Sequence, residues 1–489
     1  MINRNSTPLH AKRIGPTLVP DNTRVLMRPF RPTTEDISRR IVSQVMAMSE
    51  PEVGRVLGGV MAEFKNRHHA VEEFFQNRFT QVRYLVADKK RLSPKRQLLL
   101  GAFFTHEYSP ESAALFNPSI VPHPDQSRVP KGALRFIMSL RATGEGHISS
   151  ITFREGVVSA THRVSLTPPV DFATEPERKP NVAYEKPLFA RKLQELGVLS
   201  RFCRCVLDQL GDSFTMKELR RVLSAESKSG GGADPAADRA ARGILLLAES
   251  NYEYSFAEDQ PVSQRVIFPS TPSQSNGIED ARFVRFANDD GAFTYYATYT
   301  AYDGKIILPQ LLETPDFLHF KFITLNGPAV QNKGMALFPR KVNGHYAMIS
   351  RQDDENILIM FSDNIHFWSD PQILLRPAQP WEFIKIGNCG SPIETEAGWL
   401  VLSHGVGAMR KYCIGAFLLA LDDPTKVIGR LREPLLSPNE AEREGYVPNV
   451  VYTCGALLHG RELIIPYAMS DSATSFGTVS LDKLLAAME

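Results

Sequence analysis

The 489-residue sequence predicts a mainly β fold carrying helical additions, and three observations carry that prediction. From Val262 to Leu481 the chain alternates short β-branched and aromatic segments with Gly- and Pro-rich turns, which is the pattern of strands. Within that stretch Asp316-Phe-Leu-His319-Phe320 recurs as Asp363-Asn-Ile-His366-Phe367, 47 residues later. A four-stranded propeller blade takes about 40–50 residues, so the strand-forming length holds about five to six blades. A β-sandwich, with a turn every ~8–12 residues, is the alternative. Residues 33–105 and 185–250 instead space their apolar positions as helices do.

Taken in order, residues 1–32 read as an irregular arm broken by Pro20, Pro29 and Pro32. Thr33-Thr34-Glu35-Asp36 opens a helix, with a threonine as N-cap, acids in the first turn, and Ile37, Ile41, Val45 and Met46 on its apolar face. Helices are expected next over about 52–79 and 94–105, so that 1–110 forms a helical N-terminal extension. The character changes at Phe116-Asn117-Pro118-Ser119-Ile120, after which 135–140 and 148–153 read as strands. The β domain, 111–489, is interrupted by a helical insertion at about 185–250, with helices over 187–210, 216–224 and 239–249. The intervening 226–238 is a Ser/Gly/Ala/Pro linker. Gly230-Gly231-Gly232 is expected to be a mobile loop, since a phosphate cradle needs a preceding strand and a following Lys-Ser/Thr.

A net charge of +2, from 56 basic and 54 acidic residues, gives no electrostatic case for nucleic acid or an anionic membrane. Five scattered cysteines without a CxxC pair fit a reducing compartment rather than a zinc site or disulfide framework. The first 20 residues lack an apolar signal core, and no stretch approaches the ~18 apolar residues of a membrane span, so a cytoplasmic protein is expected. His68-His69 falls on an expected helix, where adjacent side chains diverge, and no metal site is expected.

The chemistry-bearing residues cluster at turn–strand junctions. Asn276-Gly277-Ile278-Glu279-Asp280-Ala281-Arg282-Phe283 sets two carboxylates and an arginine before the aromatic strand ending in Tyr299-Thr300. An arginine there can hold one carboxylate ionised while the other transfers protons; a solvated acidic turn is the plainer reading. Asn332-Lys333-Gly334 leads towards Arg351, Gly387-Asn388-Cys389-Gly390-Ser391-Pro392-Ile393-Glu394 towards His404, Glu444-Gly445-Tyr446 towards Cys454, and Pro466-Tyr467 towards Asp471. If blade ends converge, Lys333, Arg351 and His404 form a cationic pocket facing Asp280, able to hold an anion beside an acid.

These ordered motifs, with Lys-x-x-x-Leu-Phe-Pro, Gly-x-Tyr-x-Met-x-x-Arg, Pro-Ile-Glu-Thr-x-x-Gly-Trp-Leu, His-Gly-Val and Val-Pro-Asn-Val-Val-x-x-Cys-Gly, resemble glycoside hydrolase family 130, the β-mannoside phosphorylases and β-1,2-mannosidases. The resemblance covers about 262–475 and 116–156, where Asn117-Pro118 and Ser139-Leu140-Arg141 look like a first blade. It implies a five-bladed β-propeller with a central sugar site. It implies that Asp280 is the acid of an inverting reaction, protonating the leaving oxygen through the 3-hydroxyl of the bound mannosyl unit. Ala281 stands where most members have proline, and Gly334 where many have Asp or Asn.

The resemblance further implies inorganic phosphate as co-substrate and no cofactor, with Arg141, Lys333, Arg351 and His404 as phosphate-binding candidates. The substrate-binding candidates are Asn117, Glu279, Arg282, Tyr299, Glu394, Tyr446 and Asp471. The expected function is phosphorolysis of a short β-mannoside to mannose 1-phosphate. Alternatives are an inverting β-1,2-mannosidase, in which a carboxylate such as one in Asp353-Asp354-Glu355 activates water, and a non-catalytic sugar-binding propeller. Asp303 and Asp316 read as turn residues, and the helical additions are candidates for covering a face or for homo-oligomer assembly.

Overall fold

A computed structural model describes residues 8–86, 92–179, 182–229, 235–305 and 307–489. Among these, five antiparallel sheets of four or more strands dominate. The first contains Ala114–Pro122, Leu134–Thr143, Ser149–Val158 and Val266–Ile267. The second runs Ile278–Ala287, Phe293–Tyr302, Ile307–Thr314 and His319–Thr324, extended by Tyr252–Ser255 and Glu177–Arg178. The third is Ala336–Leu337, Tyr346–Ser350, Ile357–Ser362 and Gln372–Leu375, and the fourth Lys385–Asn388, Gly398–Val406, Tyr412–Leu419 and Val427–Arg430. In the fifth, Val451–Tyr452, Glu462–Met469 and Ala473–Ser480 are joined by Lys12–Leu18, which pairs Lys12 with Thr478. The stretch expected to be an irregular arm thus supplies a strand to the C-terminal sheet. Only pairing with a distant strand gives so short and polar a segment its order.

Each sheet packs against the next. Phe153 of the first meets Phe283 of the second; Phe286 of the second shares a core with Met348 of the third. Phe338, beside the third, packs on Trp399 of the fourth, and Leu402 of the fourth lies with Ile465 of the fifth. Phe136 of the first sheet then shares a core with Phe476 of the fifth. The two Asp-x-x-His-Phe copies each follow the third strand of their sheet, one after Ile307–Thr314 and the other after Ile357–Ser362, but the turns differ: Asp316 caps the first, whereas Asn364 accepts from the His366 N–H in the second. Asp316 accepts from the backbone N–H groups of Leu318 and His319, as the reading of a turn residue anticipates.

The N-terminal helices are Glu35–Ala47, Glu50–Phe64, Val71–Val82 and Pro94–Phe103, around a core that includes Val45, Val53, Phe79 and Leu99. Thr34 caps the first, accepting from the Ile37 N–H. The single helix expected over 52–79 is broken. Arg67 and His68 both turn to Glu107, and Ala70 enters the next helix with φ of 51°. The His69 ring packs at a tilt against Phe172, centroids 4.0 Å apart, so the two histidines diverge, though in a break rather than on a helix. The insertion holds Lys186–Glu195, Arg201–Asp208, Met216–Ser229 and Pro235–Glu249 around Leu193, Val206, Leu219 and Ile244. The 187–210 helix is split in two, and Gly230-Gly231-Gly232 lies outside the described residues. Among the described residues no helix is long and apolar enough to cross a membrane.

One buried ionic cluster fastens the N-terminal segment to the first sheet. Glu111, fully buried, accepts from Arg154 at 2.5 Å and from the Thr152 hydroxyl at 2.7 Å, with Arg24 at 3.4 Å. Removing one member of such a cluster leaves uncompensated buried charge. Glu111→Gln should therefore cost about 3–5 kcal/mol in urea unfolding. A loss below about 1 kcal/mol would show that the cluster is not a structural tie.

Candidate functional site

Two bulges build the site. The first strand of the first sheet shifts register between Phe116 and Ser119, and that of the second sheet between Glu279 and Arg282. Each bulge holds one residue in the left-handed region, Asn117 at φ 48° and Asp280 at 55°. Asn and Asp tolerate that conformation better than other side chains bearing a Cβ. The bulges are tied together: the Phe283 N–H donates to Ser119 Oγ at 2.9 Å, and Asn117 Nδ2 donates to Asp280 Oδ1 at 2.7 Å.

Cations complete the arrangement. Arg141 Nη2 donates to Glu279 Oε1 at 2.9 Å, and Arg141 Nη1 lies 3.4 Å from Asp280 Oδ1. Lys333 Nζ donates to the other Glu279 oxygen. Arg282 is buried behind the bulge, donating to the Asp280 carbonyl at 3.1 Å and the Tyr452 hydroxyl at 2.7 Å. Arg282 therefore shapes the bulge from behind, and its charge helps to keep Asp280 ionised, as an arginine beside paired carboxylates was expected to do.

The two aspartates are driven apart. Burial opposes the charge on Asp280, but Arg141, then Arg282, the Asn117 hydrogen bond and Lys333 outweigh it and hold the carboxyl below its ordinary range. Asp471 goes the other way. Burial first, then the charge on Asp280, push it to about 6 against the pull of Arg141 and Arg410. Near neutral pH the pair has one firmly ionised member and one that titrates.

A second cluster adjoins through Tyr452, whose ring meets that of His404 at 5.0 Å. His404 is buried with both ring nitrogens unpartnered, as are Arg351 Nε and both amide atoms of Asn388. Burial, followed by Arg351, Arg282 and Lys385, drives the imidazole well below its ordinary range. His404 is thus a neutral donor–acceptor set among cations rather than a cation itself. Two glycines make the cluster possible. At Gly387 a Cβ would stand 2.4 Å from His404 Cε1, and at Gly334, where φ is 87°, 2.7 Å from Arg351 Nε. An Asp or Asn side chain at 334 would displace the arginine.

Two further candidates lie elsewhere. Tyr299 is buried in the core between the first and second sheets, its hydroxyl accepting from Gln274 at 3.2 Å, because the pleat turns it inward with Ala297 and Ala301. Glu394 accepts from Arg340 at 2.7 Å, and Arg340 bridges to Ala287, the far end of the strand that begins beside Asp280. Tyr446, 69% exposed, lies next to Asp471, since the Val447 N–H donates to the Ser470 carbonyl at 3.1 Å. Its ring stacks on His147 at 5.2 Å.

Sequence reasoning missed Asn388 and His147. The signal for Asn388 was an amide flanked by Gly387 and Cys389 at the end of a strand; His147 follows a Gly-Glu-Gly turn and carries no signal of its own. Asp353 accepts from the Glu355 and Asn356 N–H groups, and Asp354 pairs with Lys385 at 3.0 Å, which makes this a solvated acidic turn. Among the described residues no group of three or more His, Cys, Asp or Glu side chains is placed to hold a metal ion.

Comparison with known proteins gives a consistent result. The glycoside hydrolase family 130 model, described as beta-1,4-mannooligosaccharide phosphorylase, matches residues 251–489. A 1,2-beta-oligomannan phosphorylase of Thermoanaerobacter sp. (strain X514) is 36% identical over 222 residues, 44% of this chain and 70% of the relative. A beta-1,2-mannobiose phosphorylase of the same strain is 33% identical over 245 residues, 48% of this chain and 78% of the relative. The solved beta-1,2-mannobiose phosphorylase from Listeria innocua, in complex with beta-1,2-mannobiose, aligns with a TM-score of 0.45 at 21% identity, covering 77% of this chain and 92% of that one.

Carboxyl-resolved NMR should show Asp471 titrating near pH 6. Asp280→Asn removes a neighbouring negative charge and should move that titration downward; an unchanged or higher value would mean the two carboxylates are not coupled.

Proposed function

This chain belongs to glycoside hydrolase family 130, and from that premise we propose that it is an inverting β-mannoside phosphorylase, converting a short β-linked mannoside and inorganic phosphate to mannose 1-phosphate and a shortened acceptor. The observation that carries the reading is the pairing of an ionised, hydrogen-bonded Asp280 with a neighbouring buried group of unpartnered polar atoms on Arg351, Asn388 and His404. Buried polar groups without partners cost stability unless a ligand supplies them. A phosphate dianion accepts from all three residues.

Bond by bond, the phosphate oxygen attacks the anomeric carbon while the glycosidic C–O bond breaks on the opposite face. The leaving oxygen takes its proton from the sugar 3-hydroxyl, which takes one from Asp280. In the free protein Asp280 is ionised, so it must be charged with a proton first. The bound hydrogen phosphate dianion and the sugar raise the pKa of the nearby carboxyl, by charge and by removing the water that solvates it, so Asp280 takes a proton from solvent; the proton that hydrogen phosphate loses on forming the new C–O bond returns to solvent and closes the balance. No protein base is required, because phosphate is the nucleophile. Arg141 and Lys333 remain candidates for the phosphate, although here both are engaged by Glu279.

We read the five sheets as blades of one propeller, each core spanning consecutive sheets and the last joining the first and fifth. The Lys12–Leu18 strand completes the fifth blade. A cytoplasmic location fits a phosphate-consuming enzyme with five free cysteines.

With β-1,2-mannobiose, turnover should require phosphate and give mannose 1-phosphate; free mannose at an unchanged rate without phosphate would mean a hydrolase. Asp280→Asn should lower kcat by about 10²–10⁴-fold with folding intact. Arg351→Ala should raise KM for phosphate by roughly tenfold or more while KM for the mannoside changes little. Equal effects on both would place Arg351 outside the phosphate site.

A further inference from the structure

Asp471 sits in the hairpin that joins Glu462–Met469 to Ala473–Ser480 in the fifth sheet. The corresponding hairpins of the first and fourth sheets are residues 144–148 and 407–411, and the two share one backbone path. Each opens on a glycine in extended backbone, Gly144 or Gly407. Each then turns on two successive left-handed residues: Gly146 and His147, with φ of 71° and 57°, and Met409 and Arg410, with φ of 57° and 54°. Position for position, Met409 stands where the first sheet has a glycine. Left-handed backbone is costly for a side chain that carries a Cβ, and methionine has no local hydrogen bond to offset it, as Asn or Asp has. Packing does not account for the residue either. Met409 is 90% exposed, the most of any large hydrophobic side chain among the described residues. Strain of this kind, held in place by a regular hairpin, points to a role at a functional site.

The surroundings say which site. The charge on Arg410, the next residue, acts on Asp471, and its guanidinium lies 5.8 Å from the ring of Tyr412, which stacks on His404. Asp471 also adjoins Tyr446, whose exposed ring is stacked on His147 with 26° between the planes. A thioether, a guanidinium and a pre-oriented phenol ring thus border the cleft near Asp471, whereas the His404 and Asn388 group is buried. In an inverting reaction the phosphate and the leaving oxygen lie on opposite faces of the anomeric carbon. With phosphate against the buried group, the leaving sugar is directed towards the exposed border. A pyranose brings an apolar C–H face that packs on a ring or a thioether, and hydroxyls that accept from a guanidinium. The His147 stack lowers the rotamer freedom that Tyr446 loses on binding.

We propose that Met409 and Tyr446 form the platform for the acceptor, the sugar beyond the scissile bond, with Arg410 donating to its hydroxyls and His147 positioning the Tyr446 ring. These residues set acceptor specificity without touching the phosphate or the transferred mannosyl unit. The proposal rests on the phosphorylase reading for the identity of the sugar.

The test runs the full-length protein in the synthetic direction, with α-mannose 1-phosphate as donor and the better of mannose and β-1,2-mannobiose as acceptor, and follows release of inorganic phosphate. Met409→Gly and Tyr446→Ala should each raise KM for the acceptor by about tenfold and leave KM for mannose 1-phosphate within about twofold. Met409→Gly installs the residue that the first sheet uses, so its urea midpoint should hold or rise, which separates lost binding from lost folding. His147→Ala should raise the acceptor KM as well, and His147→Phe, which keeps a ring behind Tyr446, should restore it. An acceptor KM unchanged in both Met409→Gly and Tyr446→Ala, or equal rises in donor and acceptor KM, would overturn the proposal. A lower sedimentation mass in these variants with unchanged kinetics would also overturn it, by making the border a contact between copies of the chain. Failure of the phosphorylase reading shows instead in the wild-type protein, as no phosphate release with either acceptor.

Discussion

The contact between Asn117 and Asp280 is the constraint on which the site depends. It needs two bulges at the same level in two different sheets, each with one residue in a conformation costly for most side chains. Bulges re-aim side chains that regular pleating would bury or turn to solvent. The Ser119–Phe283 hydrogen bond holds the strands in register, and Arg282 pulls the Asp280 carbonyl from behind. The catalytic candidate is therefore set by backbone geometry before any substrate arrives. The packing of Phe153 on Phe283 keeps the two sheets close enough for this.

Charge then divides the cleft. Around Asp280, negative and positive groups nearly balance: Glu279 absorbs Arg141 and Lys333, and Asp471 titrates in the field of Asp280. Around His404 the balance is broken, because Arg351 keeps one nitrogen unpartnered and the imidazole is held neutral by the surrounding cations. A neutral histidine can donate one proton and accept another bond, and so suits a protonated phosphate better than an imidazolium would. Its depressed pKa and the raised pKa of Asp471 have the same kind of origin. Both groups are buried beside charges of the sign they would acquire on ionising.

Much of this was legible in the chain because turn-to-strand motifs encode it locally. Glu279, Asp280, Lys333, Arg351 and His404 all sit where Gly- or Asn-led turns deliver polar groups to strand ends. What failed was what depends on pleat and partner. Tyr299 follows the same motif by only a few residues, yet strand alternation sends it into the core. Glu394 belongs to a motif that spans a strand, so its two ends serve opposite ends of the sheet. The strand Lys12–Leu18 was invisible because its partner lies more than 450 residues away. The break between the second and third helices depends on Glu107, a partner on a later strand that helical periodicity does not report.

The central claim is that phosphate attacks from the face opposite Asp280. Time-resolved NMR of the first turnovers, using a β-mannoside and phosphate, reads this from the anomeric configuration of the initial product. Inversion predicts the α-anomer of mannose 1-phosphate, whose configuration is fixed once the C1–O–P linkage has formed. A β-anomer would require a covalent intermediate on the protein and would contradict the account.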